Sequence, residues 1–173
     1  MYELSELVKA LGSNGVICRQ IISSIKLFNE PKTVEFLSEY GLPYLTAPLH
    51  TIEDICFFED DKLSCYSKDR TKVVIGKDSG GYLCLDKYTG FMYSLSDDYY
   101  PVMFVNSSIM DFLKCLYIYK VNYDDRADEI SEADEISLFY YLTSEFNKID
   151  NRILSDPENW WSHMIEALSY GEL

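Results

Sequence analysis

The chain has 173 residues, and its 29 acidic and 15 basic side chains give a formal net charge of −14. Hydrophobic residues make up 47% of the chain and aromatic residues 15%. These values exclude disorder, collagen-like repeats and a continuous coiled coil for the chain as a whole, and the length predicts a single domain over residues 1–173. An acidic body repels phosphate, so we expect no nucleic-acid partner and an attraction to cations or basic proteins. The alternative is that the acidity serves solubility alone.

Targeting signals are not evident in the sequence. The first residues lack a basic stretch followed by an apolar one, and no apolar run approaches the roughly 18 residues of a membrane helix. We therefore expect a cytoplasmic protein with no membrane partner.

The five cysteines are odd in number and show no CxxC spacing, and Cys18, Cys84 and Cys115 sit among apolar residues. They are expected to be buried thiols, and neither a metal site nor a cofactor is predicted.

Helical patterns occupy the first quarter of the chain. Leu7 and Leu11 belong to an apolar spacing that predicts a short amphipathic helix, and residues 16–28 predict a second one. The clearest helix begins at Pro31, where the missing N–H costs nothing, and ends before Gly41.

The middle third changes to a strand pattern. Short apolar segments alternate with turns that carry glycine, acidic or other polar residues, and the segments are residues 55–58, 72–76, 82–86, 91–95 and 102–105. Connections this short predict an antiparallel meander, because parallel strands need long crossover helices. Gly76, Gly80 and Gly81 are interpreted as hairpin-turn residues, since neither a P-loop nor a dinucleotide fingerprint follows.

The last third returns to helix. Ser108 and Asp111 form a capping pattern, and Asp156 with Pro157 predicts the start of the last helix. Between them lies an acidic loop that leads into a helix, and one face of that helix is predicted to hold Ile136, Phe139, Tyr140, Thr143, Phe146 and Ile149. The predicted class is α+β: a single domain with an antiparallel β-meander sheet flanked by N-terminal and C-terminal α-helices.

Catalytic patterns are weak. Adjacent carboxylates such as Asp60 and Asp61 resemble the pairs of hydrolases, but 29 acids produce such pairs without function. No catalytic residue is predicted. A carboxylate-dependent hydrolase remains the least favoured hypothesis.

Three ordered elements resemble one protein family. Residues 36–43 read FLSEYGLP, residues 75–90 contain a strand–turn–strand core with Gly76 and Gly90, and residues 104–112 read FVNSSIMDF. Together they are similar to the SUKH superfamily of bacterial immunity proteins. The resemblance implies a non-enzymatic, toxin–antitoxin-like protein that neutralises a cognate polymorphic toxin, a nuclease or nucleic-acid deaminase. Because some members are regulatory interaction modules, a scaffold or regulatory role stays open.

Two acidic segments are the candidate partner-binding sites. Residues 121–173 hold 13 acids and 3 bases, whereas residues 1–120 hold 16 acids and 12 bases. The first candidate set is Asp124, Asp125, Asp128, Glu129 and Glu132, and the second is Asp97, Asp98, Tyr99 and Tyr100. The expected partner is a toxin with a basic surface, bound by a monomer or weak dimer. The alternatives are a solvated loop for the first set and tyrosines that cap the sheet edge for the second.

Overall fold

A computed structural model of the chain describes residues 7, 11, 21–42, 55–78, 80–96, 102–123 and 131–169. Within these residues the helices are α1 (Pro31–Glu39), α2 (Ile109–Asn122), α3 (Glu132–Ile149) and α4 (Trp160–Glu166). The strands are β1 (Cys56–Phe57), β2 (Ser64–Cys65), β3 (Lys72–Lys77), β4 (Tyr82–Asp86), β5 (Met92–Leu95) and β6 (Met103–Asn106). The predicted α+β class is confirmed.

The sheet is an antiparallel meander with a divided edge. Its order is β1-β3-β4-β5-β6, and β2 also pairs with β3. β1 pairs with the end of β3 at Gly76 and Lys77, while β2 pairs with Val73 and Val74. Gly76 lies within β3 and not in a hairpin turn, so the prediction for this residue is wrong. A Cβ atom at Gly76 would collide with the backbone carbonyl of Cys56, so this position requires glycine.

The two faces of the sheet have different environments. Alternate strand residues such as Ile75, Leu83 and Val105 are fully buried and belong to the main core, which also contains the buried residues of the helices. The intervening residues join a smaller cluster around Cys84 and Leu95. The α2 residues of that main core include Ile109, Phe112, Leu113 and Leu116.

The first well-marked helix, α1, has the predicted boundaries. Pro31 is its first residue, and Gly41 after its end adopts a φ of 75°. The Glu30 carboxylate caps the helix by accepting hydrogen bonds from the backbone N–H groups of Lys32 (3.1 Å) and Thr33 (2.6 Å). The same end is tied to the β4–β5 turn, because the N–H of Glu30 also donates to the carbonyl of Lys87 (3.0 Å).

The helix predicted for residues 16–28 is not formed in the described part of that range. Residues 21–28 contain only a 3-10 turn at Ile25–Leu27. The Asp60 carboxylate accepts hydrogen bonds from the backbone N–H groups of Ile22, Ser23 and Ser24, and these bonds replace a helical arrangement of this segment. Leu7 and Leu11 are helical and buried, as predicted.

The last helix begins later than predicted. α4 starts at Trp160 rather than at Pro157. Asp156 caps a turn instead, since its carboxylate accepts the N–H of Glu158 at 3.0 Å.

Candidate protein-binding surface

The structure describes one of the sequence-predicted contact residues. Glu132 is the first residue of α3. The others, namely Asp97, Asp98, Tyr99, Tyr100, Asp124, Asp125, Asp128 and Glu129, lie outside the described residues. Their role in binding therefore stays a prediction.

Helix α3 begins at Glu132, the last residue of the acidic segment (residues 124–132), and has its own cap. The Ser131 hydroxyl accepts the N–H of Asp134 (3.4 Å) and donates to the Asp134 carboxylate (2.6 Å). A carboxylate in the first turn also interacts favourably with the helix dipole. Asp134 thus stabilises the start of α3, and its position there does not indicate a binding partner.

The outer face of α3 exposes large apolar side chains. Ile136 is 44% exposed, Tyr140 68% and Tyr141 45%. The prediction that Ile136 and Tyr140 share a face with buried Phe146 is therefore wrong. α3 carries apolar residues on several sides, and packing against α2 and the turn at Ala167–Ser169 selects a different stripe for burial.

The buried stripe of α3 contains Glu135, Leu142 and Phe146. Tyrosine is one of the residue types enriched among the anchors of protein interfaces, and here Tyr140 and Tyr141 follow the acidic segment in the sequence. The sequence analysis did not predict this surface, because it assigned Ile136 and Tyr140 to the same helix face as Phe146. The sequence of α3 contains more apolar residues than one helix face can bury. This excess is the signal that could have indicated an exposed apolar surface.

The buried carboxylate of Asp78 is saturated with hydrogen bonds. Asp78 accepts from the N–H groups of Gly80 (2.9 Å) and Gly81 (2.6 Å), the hydroxyl of Ser94 (2.9 Å) and the indole of Trp160 (2.9 Å). A carboxylate with its acceptor capacity filled in this way holds the fold together. In the part of the chain that the structure describes, no three His, Cys, Asp or Glu side chains are placed to hold a metal ion.

The thiols in the core are protonated. Cys84 and Cys115 are fully buried, as the sequence predicts, while Cys18 lies outside the described residues. Burial raises the pKa of Cys84 to about 12 and raises that of Cys115 as well. Because the thiolate is the nucleophilic form, these side chains act as small apolar groups.

Asp86 makes the stability of the fold depend on pH. Burial raises its pKa, but the hydrogen bond from Lys72 (2.7 Å) and those from the N–H groups of Thr89 and Tyr88 lower it to about 2. The stabilisation, roughly 2 kcal/mol, is complete above the ordinary value near 4 and is lost as pH falls through 2.

We therefore predict that Asp86→Asn lowers the free energy of unfolding by about 2 kcal/mol at pH 6 and by much less at pH 2. Urea denaturation of both proteins between these pH values checks this. A gap between wild type and variant that stays constant with pH would contradict it.

Comparison with known families decides the assignment. A family model described as the SUKH-4 immunity protein matches residues 5–167. The chain belongs to the SUKH-4 immunity protein family. This membership confirms the superfamily resemblance, and it gives the chain the role of an immunity protein with a cognate toxin as its partner.

The remaining comparisons add no relative. No curated protein and no solved structure shows significant similarity to this SUKH-4 member. Among the described helices, none is both long enough and apolar enough to cross a bilayer.

Proposed function

We propose that this SUKH-4 protein neutralises a cognate polymorphic toxin, a nuclease or nucleic-acid deaminase, by covering the toxin's basic cleft with an acidic surface. It acts by binding alone and catalyses no reaction. The whole chain, residues 1–173, serves as one immunity domain in the bacterial cytoplasm.

The observation that carries the proposal is the distribution of charge. A toxin that acts on nucleic acid needs a basic cleft for the phosphate backbone. A net charge of −14 attracts such a cleft, and 13 of the 29 acids lie in residues 121–173. Complementary potentials accelerate association and disfavour wrong partners.

The exposed apolar residues of α3 provide the apolar part of the proposed interface, beside its acidic part. Charge steers the encounter, whereas most of the binding free energy comes from a few desolvated aromatic anchors. Tyr140 and Tyr141 are exposed on the helix that continues the acidic segment. We therefore place the partner's contact across residues 124–132 and this face of α3, with residues 97–100 as the second candidate.

The experiment that tests the function uses the toxin domain encoded beside this gene. Cells that express the toxin domain are expected to grow only when this protein is co-expressed, and the two should purify as a one-to-one complex. The association rate should fall at least about tenfold between low and high salt. Toxicity that persists under co-expression, with no complex recovered, would refute the proposal for that toxin.

Neutralising part of the acidic segment tests its role. The variant Asp128→Asn with Glu129→Gln is expected to slow association with the toxin domain about tenfold, because it removes two steering charges. The control, Glu158→Gln with Glu166→Gln, removes the same charge from α4 and the turn before it. Surface plasmon resonance at low salt measures both, and equal rates for the two variants would contradict the assigned surface.

A further inference from the structure

An open groove of about 750 Å³ lies between α1 and the start of α2. Its base includes Phe36 and Ile109, which are 3% and 2% exposed, and Met110, 36% exposed, also lines it. The volume is in the range of pockets that hold drug-sized ligands, so the groove can accept several side chains.

The walls of the groove are fixed by the fold. The N–H groups of Asn29 and Glu30 donate to the carbonyl of Lys87, at 2.8 and 3.0 Å, which joins α1 to the β4–β5 turn. Gly90 in that turn has a φ of 72°, and a Cβ atom there would lie 2.7 Å from the Thr33 hydroxyl oxygen. The groove is therefore preorganised, which reduces the entropy cost of binding.

The charged groups that line the groove are mostly acidic, namely Glu30, Glu35, Glu39 and Asp111 against Lys32. Glu30 is used in the helix cap, and the Asp111 carboxylate binds Ser108 (2.8 Å) and Lys114 (3.0 Å). Glu35 and Glu39 are exposed and have no ion pair or hydrogen bond with any side chain that the structure describes. Two carboxylates thus remain unneutralised.

Helix stability does not explain these two carboxylates. Glu35 and Glu39 are four residues apart on α1, where like charges repel. Glu39 is also the last residue of the helix, where the dipole disfavours an anion, and the last turn holds no basic residue. Both positions are unfavourable in the free protein and become favourable when a cation enters the groove.

We infer that this groove is a docking site for a segment of the toxin that carries lysine or arginine beside an apolar side chain. The cation pairs with Glu35 and Glu39, and the apolar side chain packs against Met110 and the base of the groove. The inference rests on the proposed function and adds a second contact to it.

The groove includes the start of α2, whereas the acidic segment follows the end of α2 in the sequence. This helix has 14 residues and is therefore about 21 Å long. A standard interface covers about 800 Å² on each partner, which corresponds to a patch about 30 Å across. One toxin domain is large enough to contact both ends.

The first test compares three double variants with the neighbouring toxin domain by calorimetry. Glu35→Gln with Glu39→Gln is expected to weaken binding at least about 30-fold, while the control Glu158→Gln with Glu166→Gln changes it less than about threefold. The third variant is the acidic-segment variant Asp128→Asn with Glu129→Gln. Equal affinities for the groove variant and the control would overturn the inference, and the affinity of the acidic-segment variant does not change this conclusion. Failure of the proposed function would show differently, as a wild-type protein that binds no toxin.

The second test needs no toxin. The probe is the peptide acetyl-Arg-Phe-Arg-Gly-Arg-Phe-Arg-Gly-amide, titrated into ¹⁵N-labelled protein. Amide shifts are expected to concentrate on α1 and the first turn of α2 and to disappear in the groove variant. Shifts spread over all acidic surfaces, or retained in the groove variant, would overturn the inference.

The groove variant also has an expected effect on the free protein. Removing two repelling charges should raise its melting temperature by about 1–3 °C, because the repulsion between them destabilises the wild-type helix. This rise shows that the variant folds. A lowered melting temperature would mean that the carboxylates stabilise α1, and it would overturn the argument for a binding role.

Discussion

Replacing Trp161 by alanine is expected to lower the free energy of unfolding by about 3–5 kcal/mol, the largest effect of any substitution proposed for this protein. Trp161 has no exposed surface. Its ring contacts Phe146, with centroids 4.6 Å apart, and Trp160 at 4.8 Å. The side chain therefore joins α3 and α4 in the core, and alanine leaves a cavity there.

The indole N–H of Trp161 adds a specific bond to this packing. It donates to the side-chain oxygen of Asn106 at the end of β6, at 2.8 Å. Trp161→Phe keeps an aromatic ring but leaves that buried oxygen without its donor, so about 1–3 kcal/mol should be lost. The two variants separate the contribution of the ring from that of the N–H group.

Urea denaturation followed by far-ultraviolet circular dichroism measures these losses. Since a domain has only about 5–15 kcal/mol of stability, Trp161→Ala should also reduce the folded fraction in cells and weaken protection against the toxin. A loss below about 1 kcal/mol for Trp161→Ala would mean that α4 does not stabilise the core as described.

Asp150→Ala is expected to cost about 2–4 kcal/mol, because it leaves several partly buried donors unpaired at once. The carboxylate accepts the N–H of Ser107 (2.6 Å), the Ser107 hydroxyl (3.1 Å) and the N–H of Arg152 (3.2 Å). Asp150 follows the end of α3, and Ser107 lies between β6 and α2. The carboxylate thus joins the C-terminal helices to the sheet.

Two further substitutions give this prediction its controls. Asp150→Asn keeps one acceptor oxygen and should lose only about 1–2 kcal/mol. Asp156→Ala removes an exposed aspartate that accepts one local N–H, so it should lose less than about 1 kcal/mol. Equal losses for Asp150→Ala and Asp156→Ala, measured by urea denaturation, would contradict the role assigned to Asp150.

Elements with strong local signals could be predicted from the sequence. α1 has a proline at its first position and a glycine that takes the left-handed conformation after its end, and α2 has Ser108 and Asp111 at its start. These signals act within a few residues, so no tertiary contact is needed to see them. β2 gave no such signal, since two residues become a strand only by pairing with β3.

Long-range contacts account for the errors. The backbone of residues 22–24 bonds to the Asp60 carboxylate, which is almost forty positions away in the chain, and this contact replaces a helix. The groove combines α1 with the start of α2, and a local pattern cannot reveal that these helices meet.

The amino-acid sequence by itself determined the α+β class, the order of the main elements, the acidic character and the family to which the chain belongs. Only the tertiary structure decided which side of α3 is buried and which residues form the groove. The physical reason is that periodicity and caps specify an element through neighbouring residues, whereas burial depends on the surface that packs against it.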